Sequence, residues 1–436
     1  MKLIDKIKDK SAKIGVIGLG YVGLPLAVEK AKAGYEVLGF DVQEDKVEKV
    51  NKGINYIGDV VNEELEDIVK NKRLSATADY DRIKECDAVM ICVPTPLDKF
   101  KQPDLTYVEA STKEVAKRIH SETLVVLEST TYPGTTEEIM LPILEESGLK
   151  AGVDFYLAYS PERVDPGNIT YKTKNTPKVV GGVTEECTKV AQALYESVLD
   201  AKVFTVSSPK EAEMSKILEN SFRIVNIAFI NEMAIVAKKM GINIWEVVDA
   251  ASTKPFGFMP FYPGPGVGGH CIPIDPFYLT YKARAYDYHT RLIEMAGEIN
   301  DSMPDYVVEQ LTNIMNDNKK CLNGAKILLM GVAYKNDIED MRESPALKVI
   351  ERLESKKANV VCSDPYVETF KINGKEYKTE KLTPELVESA DAVIITTGHK
   401  NNVDYDMLVE KAKVILDTKN TLKDKHHENK DKIFLI

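Results

Sequence analysis

The chain has 436 residues, 44% hydrophobic and 29% charged, a length that predicts about three soluble domains rather than one core. Its 57 basic and 68 acidic residues leave a formal net charge of −11, which argues against a broad basic surface for nucleic acid but leaves room for a local basic pocket. No apolar run reaches the roughly 18 residues of a membrane span, and residues 1–11 interleave charge with single apolar residues, so neither a signal peptide nor an anchor is expected and the chain is assigned to the cytoplasm.

Lys13-Ile-Gly-Val-Ile17 reads as a buried strand, followed by a glycine turn, a helix over Leu24 to Ala33 and a second strand, Glu36-Val-Leu-Gly-Phe-Asp41. Ala88-Val-Met-Ile-Cys-Val93 and Leu124-Val-Val-Leu127 continue the series, and such alternation predicts a parallel sheet covered on both faces. The turn Gly18-Leu-Gly20-Tyr21-Val22-Gly23 lies between strand and helix, and Asp41 ends the next strand, the context that a dinucleotide fingerprint requires. Gly18 is expected to make the tight turn, Gly20 to let the backbone approach a pyrophosphate, and Gly23 to allow close helix packing. Asp41 accepts hydrogen bonds from a ribose and repels a 2′-phosphate, so NAD is the expected cofactor rather than NADP. The turn Val93-Pro-Thr95-Pro96 is expected to border the same cofactor.

From Ser208 the texture changes. Ser208-Pro-Lys-Glu211 is a helix start, and neither proline nor glycine interrupts the run from Lys210 to Met240, just before Gly241. A helix over Pro209 to Met240 is predicted, apolar on nearly every side from Ile224 to Ala237 and so expected to be buried all round at a domain joint or a homodimer interface. No heptad is sustained in this reading, which argues against a coiled coil. Lys216 and Asn220 share one face of this helix, where a cation and an amide can stabilise an oxyanion.

Pro263-Gly-Pro-Gly-Val-Gly-Gly-His-Cys-Ile-Pro-Ile-Asp275 packs six helix breakers ahead of His270 and Cys271, a shaped loop. A lone cysteine is most often buried filler, but the glycine-rich approach, His270 and Asp275 point to a reactive thiol. A metal set of His270, Cys271 and Asp275 is the rival chemistry. Crowding of adjacent ligands and the absence of C-x-x-C pairs among the six cysteines weigh against it, and no metal is expected. After Pro304 the α/β pattern returns, with strands at Lys326-Ile-Leu-Leu-Met330, Asn359-Val-Val-Cys-Ser-Asp364, Asp391-Ala-Val-Ile-Ile-Thr396 and Lys413-Val-Ile-Leu-Asp417. The fold class is therefore α/β: two Rossmann-like, doubly wound parallel sheets, at 1–207 and 305–436, joined by a long central helix in a helical segment, 208–304.

These residues resemble the UDP-glucose/GDP-mannose dehydrogenase family over essentially the whole chain. The resemblance rests on the glycine fingerprint with Asp41, Ser129-Thr-Thr131, Ser160-Pro-Glu162, Lys216-x-x-x-Asn220, Gly268-Gly-His-Cys271-x-Pro-x-Asp275, Gly331-Val-Ala-Tyr-Lys335-Asn-Asp337 and Arg342-Glu-Ser344. Lys254-Pro-Phe-Gly-Phe-Met-Pro and the extended cysteine motif look most like its UDP-N-acetylglucosamine 6-dehydrogenase branch. The resemblance implies a four-electron oxidation of a UDP-sugar C6 alcohol to the uronic acid, for surface polysaccharide biosynthesis, with Cys271 as the covalent catalyst. It implies an oxyanion site at Lys216 and Asn220, proton and water handling by Asp275 and Glu162, and water or cofactor positioning by Thr131. It also implies sugar contacts at Glu162, Lys216, Asn220 and Gly268, a phosphate contact at Lys335, and cofactor contacts at Thr95, Thr131 and Arg342. Asn336 stands where UDP-glucose enzymes often carry a second lysine, which argues against UDP-glucose. UDP-N-acetylmannosamine and UDP-glucose remain alternative substrates. A two-electron β-hydroxyacid dehydrogenase is the rival enzyme, but it needs neither Cys271 nor the segment from Lys326 onward. A non-catalytic NAD-binding scaffold leaves Lys216, Asn220, Cys271 and Asp275 unexplained.

Overall fold

The computed structural model describes residues 2–98, 100–165, 168 and 170–436, and the chain divides into two compact units. One comprises residues 1–219 with 277–288, and the other 220–276 with 289–436. The segment 208–304, expected as one central domain, contributes to both.

The first unit is built on eight strands: β1 (Lys13–Ile17), β2 (Glu36–Phe40), β3 (Leu74–Thr77), β4 (Ala88–Ile91), β5 (Leu124–Leu127), β6 (Tyr156–Tyr159), β7 (Lys178–Gly182) and β8 (Val203–Thr205). Their order is β3-β2-β1-β4-β5-β6-β7-β8, and the first six are parallel in the doubly wound dinucleotide order. Both faces are covered, which explains why the strands read as unbroken apolar runs: Ile14, Val16, Val37, Met90 and Val126 pack in one cluster, while Ile17, Leu38, Val89, Ile91 and Val125 are buried on the other side. The chain then reverses. β7 pairs antiparallel with β6, Ala158 opposite Gly182 and Tyr159 opposite Gly181.

The second unit carries β9 (Lys326–Met330), β10 (Asn359–Ser363), β11 (Thr369–Ile372), β12 (Lys375–Lys378), β13 (Ala392–Ile395), β14 (Ile415–Asp417) and β15 (Ile433–Leu435). Five of them form a parallel sheet in the order β10-β9-β13-β14-β15, and β11 and β12 form a separate hairpin. Ile327, Leu329 and Ile394 face one apolar cluster, and Leu328, Met330 and Val393 the other, so this sheet is also doubly covered. Its strand order is the five-stranded doubly wound one, shorter than that of the first unit.

The long helix spans Pro209–Lys239. Ser208 closes its first turn, accepting from the Lys210 N–H at 3.2 Å and donating to Glu211, and Gly241 follows it at φ 73°. Within one chain the middle of this helix is not buried all round. Ile224, Ala228, Ile230, Asn231 and Ala234 are buried, whereas Phe222 and Phe229 are about half exposed and Val236 is 43% exposed. One chain covers one side of this helix. The exposed residues recur at a seven-residue spacing, the heptad interval that the apolar composition of the helix hides.

Candidate functional site

In the first unit, the site begins at the switch point between β1 and β4, where strand order reverses, the position at which doubly wound sheets bind ligands beyond the carboxyl ends of their strands. Gly18 holds φ 89°, and a Cβ there would lie 2.6 Å from the Cys92 carbonyl oxygen. Gly23 begins the helix Gly23–Lys32, and a Cβ on it would lie 1.8 Å from the Gly18 oxygen. At Gly20 a Cβ would meet nothing within 4 Å, so this edge of the turn is open to a ligand. Tyr21 and Val22 complete the turn, Tyr21 48% exposed. The cradle fits a pyrophosphate against the first turn of the helix. Asp41, 6% exposed, is engaged on both oxygens: Oδ2 accepts from the Leu19 N–H at 2.9 Å and Oδ1 from the Gln43 N–H at 3.0 Å. The residue that is expected to meet the ribose also holds the glycine turn in shape.

Thr95, after β4, donates to the Thr130 carbonyl at 2.7 Å and tethers the loops following β4 and β5. Thr131 is fully buried, its hydroxyl 2.6 Å from that of Thr135. This loop is fastened to the long helix by Glu213, which one sequence did not single out. The Glu213 carboxylate accepts from the N–H groups of Gly134 and Thr136 at 2.5 and 2.9 Å, and from the Thr136 hydroxyl at 2.7 Å. Burial pushes Glu213 up to about 7 despite these donors. Lys216, one turn further on, is 7% exposed and donates to the Glu162 carbonyl at 2.7 Å.

The Glu162 side chain lies in a charge cluster absent from the sequence reading. Lys178, on β7, donates to Glu128 at 2.6 Å and to Glu162 at 3.2 Å. Burial raises Glu162, but the Lys178 ammonium and the N–H groups of Val164 and Arg163 more than offset it and hold the carboxyl below its ordinary value.

In the second unit, Cys271 is half-buried and is the first residue of the helix Cys271–Arg284. The shaped loop thus ends at His270. Asp275 follows one turn on, 1% exposed, and accepts from the Asn220 Nδ2 at 2.6 Å. Asn220, expected to face an oxyanion, commits an N–H to Asp275. The glycine loop is anchored at both ends. The Gly264 N–H donates to Asn231 at 3.0 Å, and Asn231 donates to Asn300 at 2.9 Å, a buried pair that no motif announces. The Gly269 N–H donates to the Arg342 carbonyl at 2.8 Å. A Cβ on Gly268 would lie 2.6 Å from that of Tyr334 and 3.0 Å from the Glu343 oxygen, so packing against the loop after β9 already demands glycine there. Lys335 is half-buried in that loop, and the Arg342 guanidinium pairs with Asp340 at 2.7 Å. Asp364, at the end of β10, repeats the device of Asp41, accepting from the N–H groups of Val332 and Ala333 at 2.7 and 3.2 Å. Among the described residues, no group of three His, Cys, Asp or Glu side chains is placed to hold a metal, and no helix is long and apolar enough to cross a membrane.

Three family models match the chain in order. The NAD-binding domain of the UDP-glucose/GDP-mannose dehydrogenase family matches residues 12–199, its central domain 210–302 and its UDP-binding domain 328–424. The chain is 40% identical to the UDP-N-acetyl-D-glucosamine 6-dehydrogenase of Pseudomonas aeruginosa over 359 residues, 82% of this chain and 84% of that one. It is 36% identical to the enzyme of the same name from Salmonella typhi, over 89% of this chain and 90% of that one. The structure of the UDP-D-ManNAc dehydrogenase of Pyrococcus horikoshii matches with a TM-score of 0.86 at 36% identity, covering 94% of this chain and 96% of that one.

Proposed function

The chain belongs to the UDP-glucose/GDP-mannose dehydrogenase family and is an NAD-dependent nucleotide-sugar dehydrogenase, and from that premise we propose that it oxidises C6 of UDP-N-acetylglucosamine to the carboxylate, as a cytoplasmic step toward a surface polysaccharide. The observation that carries the reading is the helix start at Cys271, with the buried Asp275 one turn on and fixed by Asn220. NAD supplies the hydride acceptor, once for each of two oxidations. The alcohol loses a hydride and a proton to give an aldehyde, which has no second hydride to give until a nucleophile adds. Cys271, at a helix N-terminus where amide dipoles favour an anion, adds as a thiolate and forms a thiohemiacetal. Loss of the second hydride leaves a thioester, and water cleaves it to the carboxylate and the thiolate.

The Lys216 ammonium stabilises the oxyanion, and Asn220 acts by holding Asp275, the base for the water. Glu162, kept ionised by Lys178, serves as a fixed charge beside Lys216 rather than as the base. Thr95 and Thr131 shape the loops at the nicotinamide side, Asp41 reads the ribose, Lys335 holds the UDP phosphates, and Gly268 keeps the cysteine loop in place. Arg342, paired with Asp340, holds that loop through its carbonyl. The three-part organisation, with boundaries near 207 and 304, belongs to the same reading. The exposed stripe of Phe222, Phe229 and Val236 supports a homodimer.

The similarity to the Pseudomonas enzyme favours N-acetylglucosamine, and that to the Pyrococcus structure favours N-acetylmannosamine as the second reading. NADH formation with UDP-N-acetylglucosamine, UDP-N-acetylmannosamine and UDP-glucose tests the choice. We expect the highest kcat/KM with the first and two NADH per sugar. A higher kcat/KM with another sugar reassigns the substrate, and one NADH per sugar removes the thioester.

A further inference from the structure

We propose that Lys178 is a positioning residue for the dehydrogenase reaction: it clamps Glu128, after β5, and Glu162, after β6, into one fixed floor and, through Glu162, sets where the Lys216 ammonium stands. The inference rests on the role given to Lys216 above.

The strand direction makes the contact possible. β1 to β6 are parallel, and a further parallel strand would carry its first residue to the opposite edge of the sheet. β7 instead runs antiparallel to β6, with Ala158 opposite Gly182 and Tyr159 opposite Gly181. Continued by three residues, that register sets Lys178 opposite Glu162, at the carboxyl edge where the Ser129-Thr-Thr131 and Ser160-Pro-Glu162 loops emerge. From there the ammonium reaches past β6 to Glu128, the residue after β5, at 2.6 Å, and holds Glu162 at 3.2 Å. The side chains of Lys178 and Glu128 are 5% and 0% exposed, and that of Glu162 is 15%.

The clamp leads to Lys216 by short steps. The other Glu162 oxygen accepts from the N–H groups of Arg163 and Val164 at 2.7 and 2.9 Å, which fixes the local backbone. The Glu162 carbonyl then receives the Lys216 Nζ at 2.7 Å. Arg163 adds a second tie to the same helix, its Nη2 2.7 Å from Glu219. The groups facing the clamp are Glu128, Glu162, Lys30, Tyr195 and Cys92. Tyr195 donates to Glu128, and Lys30 stands 4.8 Å over the Tyr195 ring. With both lysines protonated, two cations balance two carboxylates. Burial pushes Lys30 down to about 8, whereas Lys178, flanked by both carboxylates, is held above its ordinary value in spite of burial. A buried ion cluster gives little net stability over apolar residues of the same size, so what it supplies is fixed geometry.

The test uses Lys178→Met, Lys178→Arg and the charge-balanced Glu128→Gln/Lys178→Met, each as the full chain with NAD and whichever UDP-sugar the unmutated chain oxidises. Displacing an oxyanion donor by about 1 Å costs up to about a hundredfold in rate. We therefore expect kcat to fall at least tenfold in Lys178→Met and in the double variant, with KM for the sugar within about threefold and most of the loss restored by Lys178→Arg. The acid limb of the kcat profile should move to higher pH, because Glu162 without its cation takes up a proton more readily. Acetic anhydride labelling, read by peptide mass spectrometry, follows the clamp without turnover. Lys216 should be protected in the unmutated chain and labelled in Lys178→Met. Unchanged kcat, pH profile and labelling would overturn the proposal. So would an equal loss in Lys178→Arg, or failure of both methionine variants to fold, which would make Lys178 a folding residue only. An unmutated chain that oxidises no UDP-sugar would sink the functional reading, and the labelling would still decide the clamp.

Discussion

Glu213 offers the sharpest quantitative test, because its carboxyl is fully buried and its three donors are known. The fold holds it near 7, whereas an unfolded chain releases the proton near 4.5. Between those values the folded protein binds the extra proton, so stability falls as pH rises from 4.5 to 7 and the full loss is present above it. The difference amounts to about 3 kcal/mol at pH 8. Glu213→Gln removes that slope but introduces another cost. The amide oxygen can keep Thr136, while the NH2 group then faces the Gly134 N–H, a lost hydrogen bond of roughly 1–3 kcal/mol at every pH. At pH 5 the variant should be the less stable protein by that amount. At pH 8 the gap should close or reverse, a swing of about 2.5 kcal/mol because part of the loss is already present at pH 5. Urea unfolding of both proteins at pH 5, 6, 7 and 8, followed by circular dichroism, measures it. Parallel curves, with a constant gap across that range, would refute the claim that Glu213 is held protonated by burial.

Cys271→Ser should make less than a hundredth of the acid per unit time, because a serine alkoxide is harder to form at neutral pH than a thiolate; substrate-derived mass on Cys271 of the Asp275→Asn protein would report the stalled thioester, and its absence in every variant would remove the covalent step. Asp41→Ala should narrow the preference for NAD over NADP, and should also lower the melting temperature by several degrees because the Leu19 and Gln43 N–H groups lose their acceptor; an unchanged preference would show that Asp41 shapes the turn without meeting the ribose. Phe229→Glu should give a particle near 48.7 kDa by light scattering while the unmutated chain runs at twice that mass; a monomer in both would leave the exposed stripe without its partner.

The sequence by itself determined what depends on local rules. Unbroken apolar strands, the glycine turn at Gly18 to Gly23, the helix start at Ser208 and its stop at Gly241 each follow from backbone conformation and burial within a few residues, and each stands in the structure. Lys216 and Asn220 were legible for the same reason, since they lie one helical turn apart, whereas Cys271 and Asp275 were legible as a motif in a shaped loop and only the structure sets them one turn apart on a helix. Contacts between distant segments were not. Lys178 sits in a polar run, Lys174-Asn-Thr-Pro-Lys178, that reads as solvated surface, and its burial follows from the reversal of β7. Glu213 reads as an ordinary helix acid until the loop from Thr131 to Thr136 folds onto it. Asn220 reads as an oxyanion donor, and only the structure adds that one of its two amide hydrogens goes to Asp275; the middle of the long helix reads as buried, and only the structure shows that one chain covers one side of it. Periodicity reports that a face is apolar. Only tertiary structure decides what covers that face, because the partner of a buried charge or an apolar stripe lies tens of residues away, or on another chain.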